Sequence, residues 1–138
     1  MFGFFKNKQP GTSFTGHFSS DQKEFLLDAD EAYCLAFKKM DMSEFAKYVT
    51  RDLYMNIYRT LTYDRPWAHI SDQFKTVKWI YVGDGPNGSF TVNKQVTFDK
   101  VKINKHLKLG VADDYTEIWQ IIRGEATYSV SLIQEVRR

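Results

Sequence analysis

YTEIWQIIR (residues 115–123), GEA (124–126) and TYSVSLIQEV (127–136) form the stretch whose reading decides the fold. Two runs rich in β-branched and aromatic residues flank a short Gly-containing connection, which is a hairpin signal. Side chains alternate across a strand, so Ile118, Ile122, Tyr128, Val130, Leu132 and Val136 read as one apolar face. The odd positions Tyr115, Glu117, Trp119, Ile121 and Arg123 then read as the opposite, mixed face. An apolar sheet face needs a cover, and only the segments before residue 62 are long and periodic enough to supply one.

Working back from the hairpin, Ser19-Ser20-Asp21 followed by Glu24 resembles a capping box at a helix start. Phe25, Ala29, Ala32, Tyr33, Ala36, Phe37 and Met40 follow at spacings of three and four. The alanines on this stripe let the helix axis approach a sheet closely, so this first helix is expected to lie across the even face of the hairpin. Asp41-Met42-Ser43-Glu44 opens a short second run, Phe45 to Val49. Thr50 caps a third, with Leu53, Ile57 and Leu61 at spacing four. From Thr76 the period becomes two: Val77, Trp79 and Tyr81 share one side, and after the turn at Gly83–Gly88 so do Phe90, Val92, Val96 and Phe98. Beyond Asp99-Lys100 the apolar residues move to odd positions (Val101, Ile103, Leu107, Leu109, Val111). That slip predicts a bulge or bend near residues 99 and 100. The expectation is an α+β domain with three N-terminal helices on a curved antiparallel sheet of about four strands.

Length and composition set the outer bounds. A chain of 138 residues with 43% hydrophobic and 16% aromatic side chains is one domain with material for a core. Residues 1–18, with Phe2, Phe4, Phe5, Phe14 and Phe18 in no sustained period, read as an irregular arm before a domain at 19–138. Cys34 is the single cysteine, which fits a cytoplasmic or other reducing compartment. No apolar run reaches the ~20 residues of a membrane span. A net charge of +2 implies no partner by itself.

Chemical motifs are sparse. His17, His69 and His106 have no metal-ligand spacing, the glycines near residue 85 precede a strand rather than a phosphate-binding helix, and no metal or cofactor is expected. Asp28, Asp30, Tyr33, Tyr48, Tyr54, Tyr58, Trp79, Tyr81, Glu117 and Arg123 are the acid, base and aromatic candidates, and no catalytic dyad stands out among them. Lys94, Lys100, Lys102, Lys105 and Lys108, with His106, form a basic cluster. It reads either as an anionic-surface patch, at about 1 kcal/mol per lysine, or as lysines that keep an exposed edge strand from pairing. Nucleic acid is not expected, because no stacking platform accompanies the lysines.

Ala36 to Asp41, Phe45, Val49 to Tyr54, the strand Tyr115 to Arg123 with its Glu117-x-Trp119 core, and Ser131 to Glu135 together resemble the Tim-forty-four-like family. That family is named for the mitochondrial import tether and lies in the nuclear-transport-factor-two-like superfamily of cone-shaped (cystatin-like) domains. The resemblance covers residues 25–137. Arg51 stands where the family has a proline, and Tyr128 where it has a tryptophan. The matched region excludes the tether's chaperone-binding part, so that activity is not implied. What the resemblance implies is a non-catalytic binding or assembly domain receiving a protein, peptide or lipid in its cleft or on its sheet face; peripheral membrane contact is the expectation of the lysine cluster. A homodimer through the odd face around Trp119 is a further expectation. The alternative is a small cone-pocket enzyme, isomerase or dehydratase in type, with Asp30 or Glu117 as base.

Overall fold

The computed structural model describes residues 11–61, 66–106 and 113–136, with side chains omitted at 66, 67 and 104–106. Its order is β1 (Thr12–Thr15), α1 (Ser20–Lys39), a 3₁₀ turn (Phe45–Tyr48), α2 (Arg51–Thr60), β2 (Lys75–Asp84), β3 (Phe90–Phe98), α3 (Lys100–His106), β4 (Tyr115–Arg123) and β5 (Tyr128–Glu135). The strands make one sheet in the order β1-β2-β3-β4-β5. All neighbours are antiparallel except β1, which runs parallel to β2. The chain is therefore α+β, with a mixed five-stranded sheet.

Helix α1 starts where the sequence places it, but its capping box joins Ser19 to Gln22 rather than Asp21 to Glu24. Its alanines do what small residues permit: Ala29, Ala32 and Ala36 are buried, while Phe25 packs on Tyr128 and Tyr33 on Trp119. Thr50 caps α2, accepting a hydrogen bond from the Leu53 amide at 3.3 Å, and Leu53, Ile57 and Leu61 are buried as their spacing requires. The second expected helix is a single 3₁₀ turn, so among the described residues two α-helices rather than three precede the main sheet. Part of the expected arm is strand β1. Gly11 enters it at φ +79°, where a Cβ would lie 2.8 Å from the Lys75 carbonyl oxygen, so both the turn and the close approach require glycine.

Two expectations about the sheet are corrected. The first concerns residues after Phe98. The chain does bend there, but into helix α3 instead of a continued strand. Asp99 starts it, its side chain accepting from the Lys102 amide at 3.1 Å. Ile103 turns into the core and Val101 stays 77% exposed, as residues two apart on a helix lie on opposite sides of it. Leu107, Leu109 and Val111 lie outside the described residues.

The second correction is the parity of β4. Trp119 and Ile121 are fully buried and Glu117 is buried with them, while Ile122 is 43% exposed. Helix α1 thus covers the odd face of β4. On β5 the even positions Tyr128 and Val130 do face inward, but a register shift leaves Ser131 unpaired, so that Gln120 pairs with Leu132 and Ile121 with Val130. Beyond that bulge Ile133 packs against the core and Leu132 belongs to the outer face. Arg123 pairs with Tyr128, and Trp119 lies opposite Ile133.

Candidate functional site

The most unusual chemistry lies where α1 crosses β3 and β4. Lys94 is on the inward parity of β3, flanked by the buried Val92 and Val96, and its side chain is 1% exposed. Its ammonium donates to Asp30 Oδ1 of α1 at 2.5 Å and lies 3.7 Å from Glu117 Oε1 of β4, its direct cross-strand partner. Glu117 is otherwise engaged too. Its Oε1 accepts from Trp119 Nε1 at 3.1 Å, and its Oε2 from the Tyr33 hydroxyl at 2.9 Å. Four ring centroids surround the ammonium, those of Tyr33 (5.3 Å), Trp119 (5.6 Å), Tyr115 (5.7 Å) and Trp79 (5.9 Å). These are cation–π distances.

The electrostatics follow from burial. Removal from water works against the Lys94 ammonium, but Asp30, Tyr115 and Glu117 outweigh it and hold the group above the usual lysine range. Burial raises the Glu117 carboxyl above its ordinary value, opposed by Lys94 and by the Trp119 and Tyr33 hydrogen bonds. Burial and Glu117 push the Tyr33 hydroxyl up, against the pull of Lys94. Tyr115 is also raised, first by burial.

An open pocket of about 310 Å³ reaches this cluster from outside, lined among others by Asp30, Cys34, His69, Asp72 and Lys75. Lys75 Nζ lies 3.3 Å from Asp72 Oδ1 and 4.0 Å from the Cys34 sulfur. Burial and the neighbouring Asp30 push the Cys34 thiol up to about 12, so it is protonated near neutral pH and a poor nucleophile.

No family model, curated protein or solved structure matches the chain.

Of the five residues expected on an outward partner face, Glu117, Trp119 and Ile121 are buried under α1, Tyr115 is half-buried beside Lys94, and Arg123 alone is exposed, stacked 4.6 Å over the Tyr128 ring. Trp119, the expected anchor of a dimer contact, is 0% exposed in the single chain. Phe14 and Phe18 lie at the other end of the sheet order, around β1 and β2. They form an edge-to-face pair, and Phe18 packs against Tyr81.

The described members of the lysine cluster do not share one surface. Lys94 is interior, Lys100 pairs with Asp114 at 3.0 Å, and Lys102 lies 3.8 Å from Asp99. The side chain of Lys105 and all of Lys108 lie outside the description. Lys100 and Lys102 sit on α3, not on an exposed edge strand.

Sequence reasoning missed Lys94 as an interior residue, although a signal was present. It occupies the one charged position in the series Phe90, Val92, Lys94, Val96, Phe98, so burial of that face buries it. A lysine inside requires an anion opposite, and the facing position on β4 is Glu117.

Proposed function

We propose that this chain is a non-catalytic binding or assembly domain with the cone architecture of the nuclear-transport-factor-two-like superfamily, similar in role to the Tim-forty-four-like domains. The observation that carries the reading is the contrast between the two faces of the sheet. The inner face is filled, and both oxygens of its buried carboxylate accept hydrogen bonds from the protein itself, which leaves poor access for a substrate proton. The outer face has no helix packed on it among the described residues. Across its paired positions on β2 to β5, Lys78 is the only charged side chain. Ile80, Ile118, Ile122 and Leu132 stand there among Thr, Asn, Gln and Ser. Depletion of charge around apolar anchors is the composition of an interface centre. The outer face therefore receives the partner: a protein or peptide, a second copy of the chain, or a lipid surface.

The test is capture by immobilised protein, with lysate and lipid vesicles in parallel, together with sedimentation at tens of micromolar. Loss of capture or association in Ile118→Lys/Ile122→Lys, with the fold intact, supports the reading. A wild-type protein that stays monomeric and captures nothing contradicts it.

One observation favours the second reading, a cone-pocket enzyme of isomerase or dehydratase type. Asp30 lines the open pocket while touching Lys94, which is where a general base would meet a substrate. An Asp30→Asn variant that folds normally but loses turnover of a carbonyl substrate would establish it.

A further inference from the structure

The surroundings of Lys94 form a receptor whose parts come from three other elements: Asp30 and Tyr33 from α1, Trp79 from β2, and Tyr115, Glu117 and Trp119 from β4. Two carboxylates and four aromatic rings converge on one point, and that point is 1% exposed. Rings present their negative faces to a cation, and without a cation the buried Glu117 beside the half-buried Asp30 would be severely penalised. A neutral occupant of the same volume would satisfy neither set of groups. Lys94 contributes the ammonium and a tether to β3, but none of the receptor's walls.

We infer that this chamber is a primary-ammonium site in its own right and that the Lys94 side chain is its tethered ligand, closing the interior against other amines. The ligand class follows from the atoms. Replacing Lys94 with Ala removes the chain beyond Cβ, and the atoms removed are those of the propylammonium ion. A short primary alkylammonium ion therefore reproduces both the lost volume and the lost charge, and the open pocket beside Asp30 lies next to the place where it must arrive.

The experiment is thermal melting of wild type, Lys94→Ala and Lys94→Met in propylammonium chloride, in sodium chloride of equal ionic strength and in 1-propanol. Lys94→Ala should melt about 10 °C or more below wild type, since it strands the buried Glu117 and leaves the half-buried Asp30 unpaired beside it. Propylammonium should restore much of that loss, saturating at concentrations on the order of millimolar. Wild type should not respond beyond the salt control. Lys94→Met, which fills the space with a neutral chain, should remain destabilised and indifferent to the amine. If Lys94→Ala folds only when the amine is present, the refolded yield reads the same rescue. Equal rescue by 1-propanol would overturn the inference, because cavity filling alone would then suffice. So would a Lys94→Met protein as stable as wild type, or a Lys94→Ala protein that the amine neither folds nor stabilises.

Discussion

The two faces of β4 are one residue apart in sequence and opposite in character. The inner face holds Glu117, Trp119 and Ile121 with no more than 5% exposure, whereas the outer face holds Ile118, Gln120 and Ile122, and Ile122 is 43% exposed. Hydrophobicity alone would assign them the other way round, since the outer face has two isoleucines and the inner one a glutamate. Burial went instead to the face that could bury most aromatic surface and still satisfy its polar atoms. Trp119 meets Tyr33 and Trp79 there, and Glu117 meets Lys94, Tyr33 and Trp119. A charge read in isolation signals solvent; a charge with an opposite partner on the next strand is compatible with a core.

The largest effect should come from the inner face. Trp119→Ala is expected to lose about 3–5 kcal/mol in urea unfolding, because it empties a fully buried site. A loss below ~1 kcal/mol would mean that Trp119 is not where the core is anchored. Next, Glu117→Gln should lose about 1–3 kcal/mol, since Gln keeps the shape but cannot accept all of the hydrogen bonds and leaves the ammonium to Asp30 alone. If it instead raises stability, desolvation of the carboxylate outweighs its bonds.

The inner cluster also sets a pH dependence. Lys94 is raised in the fold, so the stability it contributes is fully present below the ordinary lysine value of 10.5 and is lost as pH climbs through the higher folded value. Cys34, Tyr33 and Tyr115 act in the same direction. Each ionises at a higher pH folded than unfolded, so the unfolded chain loses its protons first, from ordinary values of 9.0 for the thiol and 10.0 for the tyrosines. The melting temperature should therefore fall steadily above about pH 9, and a flat profile from pH 8 to 11 would show that the cluster does not hold the fold together. The smallest effect belongs to the outer face, where Ile122→Lys should change stability by no more than about 0.5 kcal/mol.

Much of the fold was legible because its signals were local. Ser19 and Thr50 at helix starts, the alanine stripe of α1, and the period-two runs of β2 and β3 each act within a few residues, and the structure follows them. The site was not legible in the same way. Lys94, Asp30 and Glu117 are far apart in sequence and meet only through tertiary packing. The bulge at Ser131 adds a residue to β5, so one parity does not describe the strand from end to end. Helix α3 was hidden because Val101 and Ile103 alternate as strand residues do, and the local helix signal was Asp99 at its start.

The inner face of the sheet holds the fold together, and we propose that the outer face makes the contact. That division is tested most directly by measuring, on one preparation of Ile118→Lys/Ile122→Lys, both the urea unfolding free energy and the association or capture shown by wild type. Stability should stay within about 1 kcal/mol of wild type with association abolished. Association that survives two lysines at the centre of the outer face, or a loss of several kcal/mol in stability, would contradict it.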